Sequence, residues 1–211
     1  MSRLKIVYIC SLGHSGSTLL DIMINQHSDI QSVGEIMFFD EWVKNNNKCT
    51  CLKLINECLF WTCVIPRCFN GLGSVKDSSY LDNSYKLFKE IKDLTGKTII
   101  LDSSKSVKRL NMLLEDNRLD VKIIHLVRNG LGVVNSLKKS YERSAINDNQ
   151  NKTKIAGALK GTIRWIRRNL AFYTLMKSHG IDNYLEVRYE DLVLEPQKVF
   201  GEVISFFELG F

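Results

Sequence analysis

The chain has 211 residues, 45% hydrophobic and 25% charged, which fits one soluble domain with a real core and excludes both a large multidomain machine and a disordered chain. No apolar run reaches the ~18 to 20 residues of a spanning helix, and the N-terminus lacks the long apolar core of a signal peptide, so a cytoplasmic protein without a membrane partner is expected. The net charge of +6 lies mostly in residues 101–211, where 18 Lys/Arg face 13 Asp/Glu; it favours anionic ligands, and without a dense basic tract or interleaved aromatics nucleic acid is not expected.

In chain order, Lys5 to Ser11 (KIVYICS) is a β-branched and aromatic run typical of a strand buried on both faces. A Gly/Ser turn follows, and from Ser17 the apolar residues Leu19, Leu20, Met23 and Ile24 recur at helical spacing. Residues 40–95 lack a sheet pattern and are expected to form a largely helical insert. Within it Cys49, Cys51, Cys58, Cys63 and Cys68 crowd into twenty residues. Their spacing contains no Cys-x-x-Cys and no nearby His, so reduced thiols are the expectation and no metal is assigned, with zinc and disulfides left as alternatives. A second strand-and-helix unit runs from Lys97–Asp102 to Val107–Glu115, and a third from Val121–Val127 through Arg128-Asn129-Gly130 into a helix at Leu131–Ser140. Ser144 to Thr153 is polar and reads as a loop. After it Ile155, Leu159, Ile163, Ile166, Leu170 and Tyr173 mark a long helix, with Lys160, Arg164, Arg167 and Arg168 on its opposite, solvated side. A fourth strand at Tyr184–Tyr189 and a helix opened by Pro196 complete the chain. Strands alternating with helices give an α/β fold: a three-layer sandwich on a mainly parallel central sheet, as one domain over residues 1–211.

Ligands of such sheets gather beyond the carboxyl ends of the strands. Gly13-His14-Ser15-Gly16-Ser17-Thr18 sits at one such end. Its glycines allow close backbone approach, its amides at a helix start form an anion nest, and three hydroxyls add donors. The ATP-binding loop G-x-x-x-x-G-K-[ST] is not matched, since the glycines are three apart and Ser17 stands where its lysine would be. Arg128, at the end of the third strand, offers a planar fork for phosphate oxygens, and Ser136 lies eight residues on, too deep in the helix to cap it. Lys105 follows the second strand, and Glu35 follows the first helix in Val33-Gly34-Glu35. His125, inside a strand, reads as a core histidine. Phe38, Phe39, Trp42 and Trp61 fit either an apolar pocket or core packing.

In these motifs the chain resembles the sulfotransferases that use 3′-phosphoadenosine 5′-phosphosulfate (PAPS), in particular bacterial and carbohydrate-type members, whose fold is P-loop NTPase-like. GHSGSTLL is similar to the family's 5′-phosphosulfate loop and LVRNGLGVVNSL to its 3′-phosphate motif; LDSSK, VRYEDLVLEP and the CxC…ECxFW pattern also match. The resemblance spans about Leu4 to Phe207. It implies that PAPS is the co-substrate, that the 5′-phosphate is held by the Gly13 loop through Ser15, Gly16, Ser17 and Thr18, and that Arg128 and Ser136 hold the 3′-phosphate. Tyr189 becomes an adenine-side contact, and His14 takes the place of a basic residue beside the donor's bridging oxygen. Leu19 stands where many members carry a tryptophan. Lys105 would neutralise charge on the transferring group, no metal is required, and Glu35 would take the acceptor's proton, provided burial raises its pKa.

The implied activity is sulfuryl transfer to a hydroxyl or amine of a small-molecule or carbohydrate acceptor. A non-catalytic nucleotide-binding protein on the same fold and a P-loop kinase are the alternatives. The first is suggested by the chain's closing at Phe211, soon after the last helix, where family members continue into a segment that completes the nucleotide pocket.

Overall fold

A computed structural model describes residues 3–67, 71–148 and 154–209, with backbone alone for 140–148 and 154–157. Five strands form one sheet in the order β2-β3-β1-β4-β5. They are β1 (Leu4–Cys10), β2 (Ile30–Gly34), β3 (Ile99–Asp102), β4 (Leu119–Val127) and β5 (Leu185–Arg188). The pairs β1·β3, β2·β3 and β4·β5 are all parallel, as the alternation of strands with crossover helices requires. Residues up to Tyr8 together with Ile24–Lys122 make one compact unit; Ile9–Met23 together with the residues from Ile123 onward make a second.

In the first unit, β3 is buried at all four positions because it lies between β1 and β2. Its register places Gly34 opposite Asp102, with an irregularity after Ser32. Strand β2 was not expected, since its apolar residues Ile30 and Val33 are three apart instead of alternating. The insert is helical, with α2 (Phe39–Asn45), α3 (Leu59–Val64) and α4 (Tyr80–Thr95). Phe39 and Trp61 pack ring to ring at 5.5 Å and are both buried, so these two aromatics are core, whereas Phe38 is exposed. Asp40 on α2 accepts the amides of Leu72 (2.8 Å) and Gly73 (2.7 Å) and so ties the loop before α4.

Helix α5 (Val107–Glu115) is capped by Ser106, whose hydroxyl accepts the amide of Arg109. Arg109 itself is fully buried. Its Nε donates to Asp102 Oδ2 (2.8 Å) and its Nη1 to Tyr80 Oη (2.5 Å) and Ser84 Oγ (3.0 Å). Burial alone would lower the pKa of Arg109, but Asp102 and Tyr80 outweigh it and hold the guanidinium charged.

In the second unit, α1 (Ser17–Ile24) follows β1, and α6 (Gly130–Asp148), α7 (Lys154–Ser178), α8 (Tyr189–Leu194) and α9 (Pro196–Phe206) accompany β4 and β5. Helix α6 runs on through Ser144–Asp148, which the polar composition had marked as loop; polar residues are compatible with helix and only the apolar period was missing. The remainder of that expected loop, 149–153, lies outside the described residues, as does Cys68.

The face of α7 also differs from expectation. Leu159, Ile163, Ile166 and Leu170 are exposed, while Gly161, Phe172, Leu175 and Met176 are buried. The inward stripe begins at Gly161, where a Cβ would meet Val134 at 3.5 Å and Leu137 at 3.6 Å on α6, ordinary contact distances. Trp165 then packs on Leu12, Val133 and Leu137. His125 is fully buried on β4, as expected of a core histidine; its Nε2 lies 3.1 Å from Asn169 Oδ1 and its ring meets Tyr173 edge-on. Among the described residues no helix is long and apolar enough to cross a membrane.

Candidate functional residues: an anion loop in one unit and a carboxylate–lysine pair in the other

The sequence-selected residues fall into two groups, one in each unit. The larger group lies in the second unit, where β1 ends in the loop Ser11–Gly16 and α1 begins at Ser17. Ser15 N donates to Leu12 O (3.2 Å), closing a tight turn, and Leu20 N donates to Gly16 O (3.1 Å), starting the helix. His14 (φ 71°) and Gly16 (φ 92°) both have positive φ on either side of Ser15. Such alternation bends successive amides into one concavity, the geometry of an anion nest, which the start of α1 reinforces. Ser15 and Ser17 are buried and His14 and Thr18 are exposed. The buried hydroxyl of Ser11 has no hydrogen-bond partner among the described residues.

A side chain at Gly16 would have to displace Tyr189. A Cβ would stand 2.2 Å from Cδ2 of Tyr189, whose ring lies against the loop. Tyr189 reaches that place through the sheet register. Val127 on β4 pairs with Arg188 on β5, so the next residues, Arg128 and Tyr189, leave neighbouring strand ends side by side. The Arg128 guanidinium accordingly lies 4.2 Å from the Tyr189 ring centroid and its Nη1 donates to His14 O (2.9 Å). A guanidinium over an aromatic face is favourably placed, and the contact holds the fork. Gly132 leaves room for it, since a Cβ would approach Arg128 Nε to 3.0 Å.

Ser136 Oγ is 3.2 Å from His14 Nδ1. Gly13, His14, Ser15, Gly16, Arg128, Ser136 and Tyr189 thus belong to one local assembly, and Ser17 and Thr18 begin the helix beneath it. Two supports were not singled out in the sequence. Trp165 Nε1 donates to Arg128 O (3.0 Å) and Asn129 N donates to Glu190 Oε1 (3.0 Å). Glu190 is part of the YED segment that drew attention for Tyr189, so that signal was present; Trp165 carried none.

The residue types suit a phosphorylated nucleotide. Paired positive φ values, a glycine with no room for a side chain, two buried hydroxyls and an aromatic-backed arginine make a donor-rich surface for anionic oxygens.

The second group lies in the first unit, at the carboxyl ends of β2 and β3. Ser103 N donates to Gly34 O (2.9 Å), which sets the residue after Gly34 beside the loop after β3. That loop is pinned by Tyr8, whose hydroxyl accepts Ser106 N (2.8 Å) and donates to Ser106 O (2.9 Å), and by Asp102 Oδ1, which accepts Ser104 N (2.9 Å). Ser104 Oγ accepts the amide of Met37 (3.1 Å), joining the two loops. Lys105 adopts φ 57°, uncommon for a residue with a side chain, and its Nζ donates to Glu35 Oε1 at 2.6 Å. The Lys105 side chain is 14% exposed and that of Glu35 38% exposed. Glu35 is therefore not the buried carboxyl that the sequence reading asked for. It is a half-open carboxylate held by an ammonium, available to solvent on its other side. Lys105, similarly, is an organised cation and not a solvated one.

The chain is similar in structure to the sulfotransferase domain from the curacin biosynthetic pathway (TM-score 0.57, 21% identity, 100% of this chain and 76% of that one). It is likewise similar to the sulfotransferase domain of the Synechococcus PCC 7002 olefin synthase (0.61, 20%, 100% and 75%), and to sulfotransferase STF9 from Mycobacterium avium (0.60, 12%, 100% and 65%). At these identities the likeness establishes the fold. No curated protein sequence matches the chain. The profile of the sulfotransferase family, however, matches from residue 7 to residue 211, and over that length this chain belongs to the sulfotransferase family, transferases of sulfuryl groups.

Proposed function

We propose that the protein transfers a sulfuryl group from PAPS to a hydroxyl of a small-molecule or carbohydrate acceptor. The observation that carries this reading is the assembly around Gly16, in which the loop amides, the arginine fork and the Tyr189 ring are locked together. Ser15, Gly16, Ser17 and Thr18 with Gly13 are assigned to the donor's 5′ side, Arg128 and Ser136 to its 3′-phosphate, and Tyr189 to the adenine side. The donor supplies the sulfuryl group. His14, exposed and bonded to Ser136, is assigned as a hydrogen-bond donor to the leaving oxygen.

Glu35 and Lys105 are assigned to the acceptor's proton and to the developing negative charge. As the acceptor oxygen forms its bond to sulfur, its proton passes to the Glu35 carboxylate, and the bond from sulfur to the donor's phosphate oxygen breaks. The Lys105 ammonium supplies the electrostatic stabilisation that in-line transfer chiefly demands. Their 2.6 Å contact means that Glu35 holds Lys105 in place while remaining open to a substrate.

Transfer of labelled sulfate from PAPS to a panel of alcohols and sugars tests the proposal. Product formation that requires PAPS is expected. Thermal stabilisation by ATP and Mg²⁺ but not by 3′-phosphoadenosine 5′-phosphate, with no sulfated product, would replace this reading by a kinase one.

A further inference from the structure

Outside the site described, the most concentrated chemistry lies in the helical insert, where Cys49, Cys51 and Cys58 place their sulfurs within 4.8 Å of one another. The backbone organises this cluster. Helix α2 stops at Asn46 in the left-handed conformation, and Lys48 and Leu54 then form an antiparallel bridge. Inside the bridge Cys49 N donates to Lys53 O (2.8 Å) and Leu52 N to Cys49 O (2.9 Å). Leu52, with φ 69°, reverses the chain. Cys49 and Cys51 therefore stand in one tight turn, and Cys58 joins them from the start of α3, with its sulfur 3.5 Å from that of Cys51.

Three thiols gathered in this way suit a soft cation. Zinc–thiolate bonds of ~2.3 Å in a tetrahedron put sulfurs ~3.8 Å apart; the Cys51 and Cys58 sulfurs stand at 3.5 Å and all three lie within 4.8 Å. A disulfide needs sulfurs at ~2.05 Å and uses only two of the three. Backbone amides of Lys53, Trp61 and Phe60 also face the sulfurs of Cys51 and Cys58. Amides in that position orient and stabilise thiolate ligands. Cys58 is buried, Cys49 half-buried and Cys51 exposed, so the cluster is closed on one side and open to solvent on the other. Cys63, also exposed, is not part of it.

We propose that Cys49, Cys51 and Cys58 bind one zinc ion as thiolates, with the fourth position taken from solvent, and that this ion clasps the turn between α2 and α3. Each thiol releases its proton to solvent on binding, so affinity rises with pH. Thiolates select such an ion over magnesium, calcium or manganese. Neither the donor site nor its activity enters this proposal.

The test uses the full, tag-free chain, reduced and stripped of metal, titrated with Co²⁺ and then Zn²⁺. One Co²⁺ per chain is expected, with a thiolate-to-cobalt charge-transfer band that Zn²⁺ abolishes by displacement. Cys51→Ser and Cys49→Ser should each weaken binding by more than the ~10- to 100-fold that follows loss of a supporting contact alone, whereas Cys63→Ser should bind as the parent does. Because Cys58 is buried, its role is read on the unaltered protein: Zn²⁺ should protect Cys49, Cys51 and Cys58 from alkylation while Cys63 stays reactive. Absence of the charge-transfer band, equal binding by Cys49→Ser and Cys51→Ser, or alkylation of the three thiols unaffected by Zn²⁺ would overturn the assignment.

Discussion

Replacing Gly16 by alanine should be one of the most damaging single-methyl changes in this protein, and its size can be worked out. The residue has φ 92°, and the new Cβ would stand 2.2 Å from Cδ2 and 2.5 Å from Cε2 of Tyr189. An L-residue forced to the left-handed side costs ~1–2 kcal/mol, and inserting a methyl into a packed contact costs ~1–3 kcal/mol. The sum is about 2–5 kcal/mol, which for a chain of this size lowers the melting temperature by roughly 4–20 °C. The two contributions are separable. Removing the ring with Tyr189→Ala relieves the clash but not the dihedral strain, so Gly16→Ala should cost about 1–3 kcal/mol less in the Tyr189→Ala background. Urea denaturation of the four proteins measures this cycle. A Gly16→Ala cost below about 0.5 kcal/mol, or an equal cost in both backgrounds, would refute the claim that Tyr189 packs on the loop at Gly16.

Asp102→Ala should cost about 3–5 kcal/mol in the same assay because it leaves Arg109 buried and uncompensated, and Asp102→Leu combined with Arg109→Met should recover most of that loss. His125 is pushed by burial below its ordinary value of 6.5, against a smaller upward effect of Asn169 and Glu186. The unfolded chain therefore binds the extra proton first, and stability that is complete above the unfolded value declines as pH falls below it. His125→Gln should flatten that part of the stability–pH curve, and an unchanged curve would contradict the buried, neutral assignment. Glu35→Gln should reduce turnover by about 10²- to 10⁴-fold while leaving binding of 3′-phosphoadenosine 5′-phosphate within about twofold; equal turnover would remove Glu35 as the base.

How much of this was legible in the sequence depends on how local each signal is. The loop from Gly13 to Thr18 and the strand-end arginine are contiguous motifs, and both fall at the carboxyl ends of strands that apolar runs made visible. Tyr189 could be named for the same reason, although its packing on Gly16 follows from the β4·β5 register, which no local pattern encodes. The Glu35–Lys105 contact joins residues 70 apart through the β2·β3 pairing. Without recognition of β2, their meeting was not inferable. In α7 the apolar period identified the helix but chose the wrong face, because the first half of the inner side is held by Gly161, Trp165 and Asn169 and turns apolar only from Phe172 to Met176. Cys49, Cys51 and Cys58 lack a Cys-x-x-Cys spacing, and what brings them together is the chain reversal at the left-handed Leu52, which no local pattern encodes.

The Gly13–Thr18 loop and Arg128 are together assigned to a nucleotide carrying phosphate at both its 3′ and 5′ positions. Titration calorimetry with 3′-phosphoadenosine 5′-phosphate tests this assignment most directly, using the unaltered protein beside Arg128→Ala and with 5′-AMP as the ligand lacking the 3′-phosphate. Binding to one site per chain is expected, weakened by Arg128→Ala by about 10-fold or more, as loss of a charged hydrogen bond of ~1.5–3 kcal/mol requires, with 5′-AMP insensitive to that change. No binding by the unaltered protein, or equal binding by Arg128→Ala, would contradict the account.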